Sequence, residues 1–380
     1  MLTIFWIAGE NSGDLHASYV MKELNQSGIN FIHTGIGGYH MQSNGLKAIF
    51  PFNRFNVMGF LEVIKHLRFF ARVEKEIKTF FLKKKPDLLV LVDYPGLNLR
   101  IAKIASEIDI PVFYYISPQF WAWKHHRVKQ LAEFTKKVAC ILPFEPDLLH
   151  IHQVDAEYVG HPITEEIKIT IDKQQFGKIM RLDPDKKWIS FFPGSRADEV
   201  EKLLPVFLKT ISLMDSNRYE FIISRASTIH ERAFMDLLNR YFDDINRIKI
   251  VASNNYEMMK HSDFSVIKSG TSTLEAAYIG TPYLICYKAN PVSYQIGKKI
   301  VKIKYIGLPN ILMNRLIVPE LIQGEVNPKN IKNRIESILS NEAQYQMTKE
   351  NLSEIQKVLG RKSASKETSK LILEIINRSK

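Results

Sequence analysis

Leu88-Leu89-Val90-Leu91-Val92-Asp93-Tyr94-Pro95-Gly96-Leu97-Asn98 holds the pattern on which the fold turns. Five consecutive apolar residues without alternation describe a strand buried on both faces, and the Asp, Pro and Gly that end it lead into a helical pattern from Leu97 to Ser106. Such a strand belongs to a parallel sheet with helices on both sides. Outward from it the scheme continues: Leu2 to Ala8, a helical Leu15 to Leu24 and Ile29 to Thr34 come before, and Val112 to Ile116 comes after. It then repeats as Trp188 to Phe192, helical Val200 to Met214, Tyr219 to Ser224, Ile248 to Ala252, Phe264 to Ile267, helical Leu274 to Tyr278 and Tyr283 to Tyr287. The first-half runs are bounded by Gly, Pro or Asp and the second half repeats their alternation, which reads as successive βαβ units. The expected class is α/β, with two Rossmann-like doubly wound domains. Gly160-His161-Pro162 and the polar Asp172-Lys173-Gln174-Gln175 read as the linker. The expected boundaries are residues 1–165, completed by a C-terminal helix at about 355–380, and residues 166–354.

The 380 residues amount to about two to two and a half ordinary domains. With 45% hydrophobic and 24% charged residues, collagenous, low-complexity and wholly disordered classes are excluded. Two cysteines, Cys140 and Cys286, lie too far apart for a disulfide framework or a Cys-rich zinc site, and fit a reducing cytosol. No signal peptide is expected, because Glu10 and Asp14 interrupt the first apolar run. Nothing approaches about 18 uninterrupted apolar residues, so no bilayer span is expected. The formal charge of +12 points to anionic partners, whether nucleic acid, phosphorylated substrates or acidic headgroups, or to compositional bias alone.

Ligands of open parallel sheets sit at the carboxyl ends of the strands, so the loops there carry the functional reading. Four are unusual. Ala8-Gly9-Glu10-Asn11-Ser12-Gly13-Asp14 offers two glycines before a helix N-terminus, suited to an anion or to a plain turn capped by Asp14. It is neither a Walker loop nor a Gly-x-Gly-x-x-Gly fingerprint. Asp93 ends a buried strand, where low dielectric would raise its pKa toward that of a general base; a cap is the other reading. Pro193-Gly194-Ser195-Arg196 places a permanent, forked cation where a diphosphate would rest on backbone N–H groups. Lys268-Ser269-Gly270-Thr271-Ser272-Thr273-Leu274-Glu275 forms a second small-residue cradle, with Glu275 facing a ribose diol or closing a capping box. Together they describe an interdomain cleft of the GT-B glycosyltransferase type. A metal-bridged diphosphate is disfavoured, Arg196 and helix dipoles stabilising the leaving group instead, and no metal or cofactor is expected.

Several blocks resemble the bacterial lipid-A-disaccharide synthase family. Besides the four loops they are Gly35-Ile36-Gly37-Gly38, Val57-Met58-Gly59-Phe60-Leu61-Glu62-Val63, Ser117-Pro118 with Trp121-Ala122-Trp123, Leu142-Pro143-Phe144-Glu145, Val159-Gly160-His161-Pro162 and Leu308-Pro309-Asn310-Ile311-Leu312. Their shared order from residue 8 to about 323 is more specific than any single block. The resemblance implies an inverting transfer of 2,3-diacylglucosamine from UDP-2,3-diacylglucosamine to the 6-hydroxyl of 2,3-diacylglucosamine 1-phosphate. The products would be UDP and the β(1→6) disaccharide of lipopolysaccharide synthesis in Gram-negative bacteria. Asp93 matches the family's proposed base and Arg196 its phosphate-contacting arginine. Gly194, Ser195, Ser269, Gly270, Thr271, Thr273 and Glu275 of the two cradle loops are the nucleotide-binding candidates, and Glu10, Ser12, Glu275, Asn310 and Gln323 match polar residues that line the family's cleft. Asn11, Gly96 and Lys268 depart from the usual pattern, and Lys268 either adds a diphosphate contact or faces solvent.

Acylated substrates imply a cytoplasmic enzyme peripherally bound to the anionic inner-membrane surface. Phe55 to Phe81, apolar every three to four positions and otherwise rich in Lys and Arg, reads as a basic amphipathic segment. Phe60, Phe69 and Phe70 are its membrane-facing candidates; an ordinary core-facing helix is the alternative. A homodimer that exchanges its C-terminal segments stays open. Two further functions compete: a UDP-sugar 2-epimerase of the same fold, and a basic nucleic-acid-binding protein. The second has no recognised motif and disperses its cations, so no nucleic-acid partner is expected. A hydrolase triad lacks a histidine at elbow spacing from Ser12.

Overall fold

A computed structural model describes residues 1–55, 67–122, 127–291, 294, 295, 298 and 303–378. The chain divides into two compact units, Met1–Glu165 with Leu359–Lys380, and Glu166–Val358.

Among the described residues the first unit contains seven parallel strands: β1 (Leu2–Ala8), β2 (Phe31–Ile36), β3 (Lys47–Ala48), β4 (Leu88–Val92), β5 (Val112–Tyr115), β6 (Lys137–Cys140) and β7 (Ala156–Tyr158). Their order is β3-β2-β1-β4-β5-β6-β7. Side chains alternate between two buried layers: Phe5, Ile7, Leu89 and Leu91 face one, and Ile4, Trp6, Leu88 and Val90 the other. Both faces are covered, as an unalternating apolar run requires. Helix Ala364–Arg378 packs on helix Asn11–Asn25 and adds Leu371, Ile372 and Ile376 to the second layer. Each such side chain is worth about 1.5–3 kcal/mol when buried. The returning segment is fastened by Glu165, whose carboxylate accepts from the Ser365 amide at 2.8 Å and hydroxyl at 2.5 Å.

The second unit holds β8 (Lys187–Phe192), β9 (Tyr219–Ser224), β10 (Ile248–Val251), β11 (Phe264–Lys268), β12 (Tyr283–Tyr287) and β13 (Glu320–Ile322), ordered β10-β9-β8-β11-β12-β13, again all parallel. In each sheet the order reverses once, between β1 and β4 and between β8 and β11. Ala8 pairs with Val92, and Phe192 with Ile267. All four unusual loops therefore leave the carboxyl ends of strands at the two switch points, where doubly wound folds open a crevice. The helices begin inside these motifs: helix Asn11–Asn25 includes Ser12 and Asp14, and helix Pro95–Ser106 starts on a proline, whose missing N–H costs nothing in a first turn.

Helix Leu67–Lys83 corrects part of the membrane reading. Phe70, Val73, Ile77 and Phe81 form its core stripe, so Phe70 is buried and unavailable to headgroups. Phe69 is half-buried, its ring 5.2 Å from Phe55 and beneath the Arg54 guanidinium. Consecutive positions lie about 100° apart on a helix, so a core stripe accepts one Phe fully and the next at its margin. Phe60 and the block at residues 57–63 lie outside the described residues. Among the described residues no helix is long and apolar enough to cross a membrane.

Candidate active site

At the first switch point Asp93 and Tyr94 both adopt left-handed backbone conformations, φ 45° and 48°. For residues other than glycine this costs about 1–3 kcal/mol each and needs support. The Asp93 amide donates to the Tyr115 carbonyl at 2.9 Å. Its carbonyl accepts from Asn98 Nδ2 and from the Tyr114 hydroxyl, both at 2.6 Å. The turn is thus held from β5 and from its own helix. Tyr94 folds over Gly9, where a Cβ would stand 2.6 Å from the ring, so Gly9 is required by this approach. The Tyr94 hydroxyl then donates to the Phe55 carbonyl at 3.0 Å.

Burial pushes the Asp93 carboxyl up to about 6, against the Tyr94 amide and the positive groups of His16 and Arg127. A carboxylate with that affinity can take a proton near neutral pH. A second acid, which sequence reasoning did not single out, stands in the same electrostatic neighbourhood. Glu145 is buried, accepts from Trp121 Nε1 at 3.1 Å and the Leu142 amide at 3.2 Å, and is pushed up to about 7, mainly by burial and in small part by Asp93. It ties the Trp121 loop to the turn after β6; its signal was its place in the Leu142–Glu145 block. Glu10 is half-buried at the N-cap, where its charge adds to burial in pushing the Tyr94 phenol up to about 12. Ser12 is exposed in the first helical turn. Asp14, by contrast, is buried and accepts from the Gly38, His40 and Met41 amides at 2.7–3.1 Å, clamping the neighbouring helix Tyr39–Ser43.

The second switch point opens into a cavity of about 690 Å³, lined among others by Ser195, Arg196, Glu199, Lys268, Thr271 and Glu275. Gly194 also lines it, at φ 122°, and a Cβ there would meet the Glu199 carboxylate at 2.6 Å. Glycine therefore permits both the turn and the approach of that acid. Glu199 Oε1 receives Lys268 Nζ at 2.6 Å and Arg196 Nη1 at 3.4 Å, and Oε2 receives the Ser195 amide at 3.3 Å. Lys268 thus faces the cavity rather than bulk solvent. Glu199 was missed because its partner Lys268 is remote in sequence and meets it through the β8–β11 pairing.

Other expected residues are spent on the fold. Ser269 is buried, its hydroxyl donating to the Ile306 carbonyl at 3.4 Å, and Thr273 is fully buried, donating to the Gly270 carbonyl at 2.7 Å. Neither is among the described residues lining the cavity. They shape the cradle formed by Gly270 and Thr271. Gln323 Oε1 accepts from the Ala289 amide at 3.0 Å in a left-handed turn. Asn310 is fully buried: Nδ2 donates to the Val318 carbonyl and Glu320 Oε1, and Oδ1 accepts from the Ile317 and Val318 amides, all at 2.8–3.0 Å. Asn310→Ala should cost about 2–4 kcal/mol of stability, because it strands buried groups of the 317–320 segment. Urea unfolding checks this, and a loss under about 0.5 kcal/mol, the scale of an ordinary surface change, would refute it. The one Asp-x-Asp triplet, Asp183-Pro184-Asp185, forms the turn before β8, where the Asp185 amide bonds the Asp183 carboxylate. That is the amino end of the strand, opposite the end that carries the cradle loops, so the triplet does not supply a diphosphate metal site.

The profile of the family described as lipid-A-disaccharide synthetase matches residues 4–376. The chain is 36% identical to the lipid-A-disaccharide synthase of Sulfurihydrogenibium sp. (strain YO3AOP1), covering 100% of this chain and 99% of that protein. With that of Syntrophus aciditrophicus (strain SB) it shares 34% identity over 98% and 97%. Among solved structures it is similar to the calicheamicin glycosyltransferase CalG4, with TM-score 0.66 at 10% identity, covering 100% and 99% of the two chains. It is likewise similar to a UDP-GlcNAc 2-epimerase from Neisseria meningitidis bound to UDP-GlcNAc, with TM-score 0.65 at 14% identity and 99% coverage of both. At such identities these two structures establish the fold alone, that of two-domain glycosyltransferases and epimerases. Taken over nearly its full length, the sequence match is of another order, and the chain belongs to the lipid-A-disaccharide synthase family.

Proposed function

We propose that this chain transfers 2,3-diacylglucosamine from UDP to the 6-hydroxyl of 2,3-diacylglucosamine 1-phosphate with inversion, releasing UDP. The observation that carries the reading is the cavity beside β8 and β11, found in a member of this family, whose β8 and β11 loops line it with Arg196, Lys268 and helix-terminal hydroxyls. Asp93 accepts the hydroxyl proton, the freed oxygen bonds the anomeric carbon, and the bond from that carbon to the diphosphate breaks. Arg196 meets the charge left on UDP, aided by the N-terminus of helix Thr271–Ile279. Inverting displacement needs a base for the acceptor hydroxyl and charge stabilisation for the leaving group, the roles proposed for Asp93 and Arg196.

The acylated substrates would be met at an anionic membrane surface. The exposed Arg68, Arg72, Lys75 and Lys78 of helix Leu67–Lys83, with Leu82 and Lys83 to Lys85 at its end, support that reading.

Purified chain given both substrates should release UDP and form a disaccharide 1-phosphate detectable by mass spectrometry. If instead it interconverts the C2 epimers of a UDP-sugar with no acceptor present, the epimerase reading replaces this one.

A further inference from the structure

The anion-suited loops of the second unit already hold an anion of their own. Glu199, in the first turn of helix Ala197–Ser212, takes the Lys268 ammonium at 2.6 Å, the Arg196 guanidinium at 3.4 Å and the Ser195 amide at 3.3 Å. Its side chain is 12% exposed and that of Lys268 is 21% exposed, so the pair lies in the cavity wall where solvent screens it weakly. These donors, two cations and a loop amide, are the set that a phosphate group would engage at a helix N-terminus. Within this cluster two cations share one carboxylate, while Glu257 and Glu275 also line the cavity, so the local positive excess belongs to the Arg196–Lys268–Glu199 cluster alone. Lys268 is not the sole support of Glu199, since Arg196 and the Ser195 amide also meet it and the helix terminus favours a carboxylate in its first turn. Lys268 is also well aimed. It ends β11, whose Ile267 pairs with Phe192 of β8, so the lysine and the Pro193–Arg196 loop leave adjacent strands about 4.8 Å apart.

We infer that Lys268 is a second diphosphate-contacting cation, specific to chains carrying lysine at this position, and that Glu199 competes with the diphosphate for it. On binding, the diphosphate takes the Lys268 ammonium and part of the Arg196 fork, and the carboxylate turns away toward solvent. The assignment rests on the second unit's cavity being the UDP site.

Calorimetric titration of the full chain with UDP and, separately, with uridine tests it in three variants. Lys268→Met keeps the length of the side chain and removes its charge. It should weaken UDP binding by about 10- to 50-fold, the scale of a charge-assisted contact, and leave uridine binding unchanged. Lys268→Arg should restore most of the UDP affinity. Glu199→Gln should tighten UDP by about 3- to 10-fold with uridine again unchanged, because a neutral amide competes less for the cations. UDP affinity of Lys268→Met within twofold of the parent overturns the inference, and so does an equal loss for UDP and uridine, which marks a structural role. Weaker UDP binding by Glu199→Gln overturns the competition. A parent chain that binds neither UDP nor uridine removes the nucleotide site itself, a result distinguishable from the other failures.

Discussion

Replacing Asp93 with asparagine should lower kcat by about 10³-fold while leaving the folded structure intact, since a well-placed general base contributes roughly 10²–10⁴. The supports of the Asp93–Tyr94 turn from Tyr114, Tyr115 and Asn98 do not involve its carboxylate, and an asparagine oxygen can still accept from the Tyr94 amide, so circular dichroism should be unchanged. The pH dependence follows from the same burial. The base works ionised, and its carboxyl titrates at about 6, so log kcat/KM should rise with unit slope up to about pH 6 and then level. Stability runs the other way. The folded chain holds this proton up to about 6, whereas the unfolded chain releases it near 3.9. Buried ionisation therefore costs stability progressively between those values, and above them the cost is complete. Asp93→Asn should thus be more stable than the parent at pH 8, and the gain should vanish by about pH 3. Parent-like turnover in this variant would remove Asp93 from the base role. A profile flat from pH 5 to 8 would show that its carboxyl is not raised.

Arg196→Ala should reduce kcat/KM by about 100-fold, the scale of one charged contact to a leaving group. Arg196 is half-exposed and caps helix Ala197–Ser212 through its backbone, which alanine preserves, so little stability should be lost. Arg196→Lys should recover part of the activity, because the charge returns without the forked geometry. Since Arg196 and Lys268 share Glu199, their substitutions should not add independently, and the double variant measures that coupling. Unchanged kcat/KM in Arg196→Ala would exclude it from stabilising the departing diphosphate.

The switch-point loops were legible because their signals are local. An unbroken apolar run such as Leu88 to Val92 needs cover on both faces, and a Pro, Gly or Asp after it ends the strand wherever the chain lies in space. The fates of individual polar side chains were not local in this sense. Ser269 and Thr273 stand one and three residues from the cavity-lining Lys268 and Gly270, yet their hydroxyls close onto the backbones of Ile306 and Gly270. Asn310 lies in a motif that invites a ligand role, but the returning segment at 317–320 uses both ends of its amide. Phe69 and Phe70 are chemically equal, and the packing of Phe55 and the helix stripe alone separates the half-buried ring from the buried one.

By itself, then, the amino-acid order determined two parallel sheets with reactive loops at their carboxyl edges, since hydrophobic period and strand-ending residues act over a few neighbours. Tertiary structure alone decided that Glu199 bridges Lys268 and Arg196, that Glu145 stands near Asp93, and which hydroxyls face the cavity. The Glu199–Lys268 contact depends on residues tens of positions apart meeting at hydrogen-bonding distance, and the Glu145–Asp93 neighbourhood on burial that reshapes their proton affinities. Neither quantity exists until the sheets have formed and the helices have packed against them.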